Sequence, residues 1–348
     1  MSREAESRNR NIGRLGSVCT QALLQNKRKK GNGREERLLF AGSPTPPSII
    51  KVQCMSKMKC TVSFAALMSI AAVSGFGGIA EAKAPQPIIV AIAGDYAPWN
   101  MTTSTGKLTG FEPQLVDVLC KEMKVKCEIV PQAWTGMIAG LRAGKFDAIV
   151  DAISITPSRK KVIAFTEPYA STPATFEVMK AGKLAHLPGT GKSVCVDDLV
   201  GTKAKFKELR AALKGKTIGI QTGTVYTHFI DSTFGDIAHI REYSTPAERD
   251  LALSTGRIDV GFDDATYLAY ALHQRGNGDL IMSGPDVVGQ IWGPGEGIGL
   301  RKSETKLKLK FDAAIKDAIA NGTVKRLSLK WLKVNVTPAV GSNMPCGS

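Results

Sequence analysis

Residues 143–150 read AGKFDAIV and residues 255–262 read TGRIDVGF. In each phrase a Gly closes an amphipathic segment and an Asp heads an apolar, β-branched run. That is the pattern of a helix that stops and delivers the chain into a buried strand. The copies lie about 110 residues apart, far beyond the 20 to 50 residue period of a solenoid, so they mark two similar lobes.

The surroundings of each copy support the same reading. IIVAIA (88–93) reads as a strand and GFEPQLVDVLCKEM (110–123) as a helix, with Phe111, Leu115, Val118 and Leu119 on one face. CEIVP is a second strand, WTGMIAGLRAG a second helix, and FDAIVDA (146–152) completes a β-α-β-α-β unit. After a connecting stretch the order returns: KTIGIQ, TVYTHFIDSTF, HIREY, TPAERDLALSTG and RIDVGF. The chain ends with EGIGLRK as a further strand and the helical TKLKLKFDAAIKDAIANG and TVKRLSLKWLKV. Short strands alternating with helices predict an α/β fold with parallel sheets and helical crossovers. Two lobes joined by two crossover strands are expected, with a ligand cleft between them. Lobe 1 is expected over 83–175, lobe 2 over 176–294, a return to lobe 1 over 295–340 and a tail over 341–348.

The formal charge of the 348 residues is +15 and 43% are hydrophobic, enough apolar matter for a sizeable core. Much of the charge lies upstream. Residues 1–54 hold eleven Lys or Arg against four Glu and no apolar periodicity, so they are expected to be disordered. From Met55, Lys57 and Lys59 precede an apolar run to about Ile79 and an Ala80-Glu81-Ala82 exit. This is the form of a secretory leader cleaved after Ala82. Ser69, Ser74, Gly75, Gly77 and Gly78 break the run and argue against a membrane anchor. A leader belongs at the amino terminus, so 1–54 reads as an upstream extension from a misassigned start. Without residues 1–82 the net charge falls to about +7. The remaining Lys have no aromatic interleaving of the kind a strand-binding groove needs, so nucleic acid is not an expected partner.

Export also settles how the cysteines read. Cys120 and Cys127 stand seven apart at a helix-to-strand return and are expected to form a disulfide in an oxidising compartment. Cys195 and Cys346 receive no role. His186, His228, His239 and His273 show no ligand spacing, so neither a metal nor a cofactor is expected.

In open α/β sheets ligands bind beyond the carboxyl ends of strands, which directs attention to AGDYAPWN, DAISITPSR, QTGTVY and DDAT. Ser154 and Thr156 precede Arg159 in a loop and helix start opened by Pro157. A guanidinium fork with hydroxyls and N–H groups suits a carboxylate; a surface Arg beside Lys160 and Lys161 is the plainer alternative. Asp264 stands where an ammonium group could be held, although adjacent acids are often a solvated turn. Tyr96, Trp99 and Trp134 offer aromatic faces, Trp99 equally as core. Gly223 permits close backbone approach, and Thr222 and Thr224 flank it at a helix start.

YAPWN, KLTGFEPQLVDVLCKEMKVKC, SITPSRKKVIAF, GIQTGT, TGRIDV and GTVKRLSLKWLKVNVTP recur in order, and from about Pro87 to Thr337 the chain resembles the family 3 extracellular solute-binding proteins. These are the polar amino-acid receptors of ABC importers, with the nopaline and octopine receptors and the lysine, arginine, ornithine and histidine receptors nearest in kind. The resemblance implies the type II periplasmic binding fold and a monomeric receptor in a Gram-negative periplasm. Such a receptor takes an amino acid or opine and hands it to an inner-membrane permease. It implies that Arg159 clamps the α-carboxylate with Ser154 and the backbone near Thr224, that Asp264 holds the α-ammonium, and that Tyr96 and Trp134 sandwich the side chain. It pairs Cys120 with Cys127. The chain departs from the pattern at Ala93, where the basic amino-acid receptors carry an acid, and at Asp151 and Ala152, where the family has Ser. Asp151 answers either a cation placed differently or a sugar or imino group. Two other functions fit the fold: a periplasmic cyclodehydratase, for which Asp151 is the candidate acid, and a chemosensory receptor.

Overall fold

A computed structural model of the chain describes residues 86–274 and 276–338. The expected extension, leader and tail lie outside the described residues. The described residues belong to one unit, Ile79–Ser348, with one sheet at the heart of each lobe.

The sheet of lobe 1 runs Cys127–Pro131, Ile88–Ile92, Ala148–Ile149, Gly299–Leu300, Ala164–Phe165. The first three strands are parallel, and Gly299–Leu300 is antiparallel to both of its neighbours. Lobe 2 repeats the plan. His239–Tyr243, Thr217–Gln221 and Val260–Asp264 are parallel, and Ala174–Met179 runs antiparallel against the last of them. Asp286–Val288, Ser193–Cys195 and Leu280–Met282 extend that sheet. The sheets are therefore mixed where parallel sheets were expected. The physical reason is the crossing itself: each time the chain passes between lobes it enters the new sheet as an antiparallel strand.

The repeated phrase does the same work in both lobes. Asp147 accepts a hydrogen bond from Ile89 N at 3.0 Å, and Asp259 accepts one from Thr217 N at 2.8 Å. Each thereby ties the third strand of its lobe to the start of the first. The third strand of lobe 1 covers only Ala148–Ile149, shorter than FDAIVDA suggested. Just beyond it, at Ala152, the backbone turns into the left-handed region with φ +43, which a non-glycine residue seldom adopts.

Apolar periodicity places the cores as expected. Phe111, Leu115 and Leu119 of the helix Phe111–Glu122 pack with Val90 and Ile92 and with Phe311 and Ile315 of the helix Thr305–Ala320, so the carboxyl-terminal helices join lobe 1. Lobe 2 closes over Phe176, Phe229, Phe234, Phe262 and Trp292. Burying each such side chain contributes roughly 1.5 to 3 kcal/mol. Cys120 and Cys127 are bonded, with Cα atoms 6.1 Å apart, and pin the end of that first helix to the next strand. In lobe 2 the helix Pro246–Ser254 starts with a capping box, Thr245 accepting from Glu248 N and the Glu248 carboxylate reaching back to Thr245 N. Among the described residues no helix is long and apolar enough to cross a membrane.

Candidate functional site

Between the lobes lies a cavity of about 40 Å³ lined by Tyr96, Trp134, Asp151, Ala152, Ser154 and Arg159 from lobe 1 and by Gln221, Thr224 and Tyr226 from lobe 2. Asp95 stands exposed at its rim. That volume holds no more than a few waters, so an amino acid enters only as the lobes part. Several side-chain hydrogen bonds among the described residues span the lobes across the cleft. Tyr96 Oη donates to Asp263 Oδ1 at 2.6 Å, Trp99 Nε1 to Thr266 Oγ1 at 2.8 Å, Trp134 Nε1 to Thr222 O at 3.0 Å and Arg159 Nη2 to Gly223 O at 3.1 Å. Gly223 carries φ +71, and that left-handed turn presents its carbonyl to the guanidinium.

Arg159 sits in the short helix Pro157–Lys160, capped by Thr156, whose hydroxyl accepts from Arg159 N. Its guanidinium is 9% exposed and donates to Ser154 O at 2.9 Å besides Gly223 O. Among the described residues no carboxylate pairs with it. Burial lowers its pKa to about 10, and the group stays charged at neutral pH. The guanidinium also lies over the Trp134 ring, 5.2 Å from the centroid. One face of Trp134 is thus covered, Tyr96 is stacked on Tyr267 at 4.7 Å, and both residues line the cavity.

Asp151 is held from behind. Its Oδ1 accepts from Ala93 N and Asn100 Nδ2, both at 2.9 Å. The other amide hydrogen of Asn100 goes to Glu112, whose remaining oxygen takes Ala152 N and the Tyr169 hydroxyl. That set of bonds secures the left-handed turn at Ala152. Burial raises the Asp151 carboxyl well above the ordinary range, and the neighbouring Glu112 adds to the effect. Glu112, fully buried, is raised as well, by its desolvation.

Two expected residues stand elsewhere. Thr222 offers its carbonyl to Trp134, and its side chain lies outside the cavity. Asp264 caps the helix Ala265–Ala271: Oδ1 accepts from Thr266 N, Tyr267 N and the Thr266 hydroxyl, and Oδ2 from the Thr172 hydroxyl. Oδ1 thus carries three hydrogen bonds and Oδ2 one, so Asp264 is a helix cap that keeps acceptor capacity on Oδ2. Burial and the charges of Asp264 and Asp263 push the Tyr226 hydroxyl well up, so the field of Asp264 reaches the cavity wall. Trp99 is core, fully buried and edge-on to Phe111.

Asn100, Glu112, Gln221 and Tyr226 were not read from sequence. Glu112 lies one residue from an apolar face and looked solvated, while Gln221 and Tyr226 follow the strand-exit rule and were within its reach. A larger groove, about 630 Å³, lies between Met101, Tyr270 and Trp331, but it holds no buried charge.

The family described as bacterial extracellular solute-binding proteins, family 3, matches residues 88–334. The chain belongs to that family. A family 3 relative, the octopine-binding periplasmic protein of Rhizobium meliloti, is 39% identical over 274 residues, covering 72% of this chain and 92% of the relative. The L-arginine-binding protein of Pseudomonas aeruginosa is 31% identical over 264 residues, with 75% and 92% covered. A periplasmic His/Glu/Gln/Arg/opine family-binding protein from Silicibacter pomeroyi, solved in complex with lysine, aligns with a TM-score of 0.58 at 28% identity over 72% of this chain and 100% of its own. The fold is that of the type II periplasmic binding proteins, and these relatives are binding proteins.

Proposed function

We propose that this family 3 receptor binds an amino acid or an amino-acid conjugate such as an opine, acts as a monomer in the periplasm and delivers its ligand to an ABC permease of the inner membrane. The observation that carries the reading is Arg159, a buried guanidinium between the lobes whose hydrogen bonds go to backbone carbonyls. Such a fork is matched by a ligand carboxylate. The names of the relatives, octopine-, arginine- and lysine-binding, agree with a zwitterion. Trp134 and Tyr96 line the path of the ligand's stem, Ser154 and Thr224 line the carboxylate end, and Asp264 contributes its field to the ammonium end.

The mechanism is closure. A ligand that touches both lobes favours the closed arrangement over the open one by its differential affinity, and the permease reads the closed form. The interlobe hydrogen bonds are the protein's own share of that preference. Arg159 contributes twice, to Gly223 across the cleft and to the ligand. No covalent step is required, so the ligand leaves as it entered.

Calorimetry with octopine, arginine, lysine, histidine and glutamine, followed by mass analysis of the bound species, tests this. One ligand per chain, recovered unchanged, is expected. Absence of binding across the panel, or recovery of an altered molecule, would overturn the receptor reading. Light scattering of the liganded protein should give one chain per particle. Export through a leader at 55–82 belongs to the same proposal and predicts an intact periplasmic mass that begins near Lys83.

A further inference from the structure

Around the repeated phrase the two lobes align at one offset, 256 minus 144 or 112 residues: Gly144 matches Gly256, Asp151 matches Asp263, and Met137 matches Arg249. In lobe 2 the buried Arg249 pairs with Asp263, Glu177 and Asp250. Lobe 1 places the fully buried thioether of Met137 at the equivalent position. Asp151 therefore lacks the internal cation that its counterpart owns. It is 6% exposed and lines the cavity, and among the described residues it accepts hydrogen bonds only through Oδ1. Oδ2 is the oxygen left for the cavity.

The charge balance of the closed cleft points the same way. Glu112, Asp151, Asp264 and Glu296 are all at least nine-tenths buried in or behind it, with Asp95 at the rim. Glu296 Oε2 has no partner among the described residues. Against these carboxyls the cavity wall offers a single guanidinium, Arg159. Once a ligand carboxylate occupies that cation, a buried carboxyl of the cleft ionises only where a further cation meets it. Desolvated carboxylates are costly unless a cation meets them.

We infer that Asp151, with Asp95 at the rim, forms a subsite for a cationic group at the end of the ligand remote from its carboxylate. The site therefore selects a guanidinium- or ammonium-bearing solute over its neutral isostere. This rests on Arg159 holding the carboxylate. Asn100 and Glu112 act through Asp151 as positioning residues: they turn Oδ1 away and leave Oδ2 facing the ligand. Asp95 is next to Tyr96 in the chain, and Asp151 and Thr224 line the same cavity from the two lobes. A long, flat cation such as guanidinium can lie against the cavity-lining aromatic residues while it bonds to Oδ2.

The test compares arginine with citrulline, which replaces the guanidinium by a neutral ureido group of nearly the same shape, and adds octopine, which keeps the guanidinium. Calorimetry is run on the wild type, Asp151→Asn, Asp95→Asn and the double variant, with circular dichroism as the check on folding. Wild type should prefer arginine over citrulline by about thirtyfold or more, the range for a desolvated charge pair. Asp151→Asn should bring the ratio to within about threefold by weakening arginine and octopine and sparing citrulline; Asp95→Asn, exposed, should shift it by only a few-fold. Equal binding of arginine and citrulline by wild type would overturn the inference, because Asp151 would then be protonated and acting as a donor. So would a ratio that survives in the folded double variant. If none of the three binds, the carboxylate reading has failed and the cation subsite falls with it. If citrulline binds well and Arg159→Ala removes that binding, the carboxylate reading stands and the cation subsite alone is rejected.

Discussion

Asp151 and Asp263 stand at the same place in the two copies of one structural phrase, yet they live in different electrostatic worlds. Asp263 is gripped by Arg249 and receives Tyr96 from the other lobe. Asp151 is gripped by neutral amides and shares its surroundings with another acid. The difference traces to one position in the preceding helix, Arg249 in lobe 2 and Met137 in lobe 1. Lobe 2 thus carries its charges as internal structure, and lobe 1 keeps its charge for the cavity. Position in a fold tells where an acid points; a partner 14 residues earlier in sequence decides whether it is available.

The most severe way to break this comparison is to make lobe 2 resemble lobe 1. Arg249→Met would leave Glu177, Asp250 and Asp263 buried without their cation. Losing one member of a buried ionic network costs about 3 to 5 kcal/mol, so urea unfolding should show a loss of that order. An unchanged midpoint would show that the network is not what stabilises lobe 2. Lobe 1 has its own device in the Cys120–Cys127 bond, whereas the matching joint of lobe 2, between Phe234 and His239, contains no Cys. Closing a loop of this length is worth on the order of 2 to 3 kcal/mol. A paired change of both cysteines to Ser should lower stability by that amount, and alkylation of the native protein without reductant should label neither thiol.

Asp264 sharpens the comparison on a smaller scale. As a helix cap it should contribute about 0.5 to 2 kcal/mol, so Asp264→Ala should lower the unfolding free energy by that much. Unaltered stability would return the residue to a purely ligand-facing role. The gentlest test uses pH. Burial holds Asp151 protonated above the ordinary carboxylate range, so the folded protein keeps a proton that the unfolded chain has released. Stability from this group is complete below about pH 4 and is lost as pH rises through the folded value. The melting temperature of Asp151→Asn, measured against ligand-free wild type, should therefore gain on it as pH increases. A difference that stays flat or reverses would contradict the assigned environment.

Much of the design was open to inspection in the sequence. Period-2 and period-3.6 patterns located the strands and helices of both repeats, and the strand-exit rule found Tyr96, Asp151, Ser154, Arg159 and Thr224, which the fold brings to one cavity. The central strand Ala174–Met179 falls in the stretch that reads from sequence only as a connection; its Glu177 is buried where Arg249, 72 residues later, meets it. Asp264 also carries a readable cap signature, an acid followed directly by a helix. Pairings such as Tyr96 with Asp263, 167 residues apart, leave no local trace. The antiparallel entry of each crossing strand is likewise a property of topology and not of composition.

The central claim is that the protein's free guanidinium between the lobes holds the carboxylate of its ligand, and titration of octopine and arginine into wild type and Arg159→Ala measures it most directly. Removing one partner of a desolvated ion pair costs roughly 2 to 5 kcal/mol, so affinity should fall by about thirtyfold or more. Arg159→Lys should restore part of it, since an ammonium keeps the charge but loses the fork, and Lys205→Ala, exposed in lobe 2, should leave it unchanged. A folded Arg159→Ala protein that binds these ligands as tightly as wild type would contradict the account.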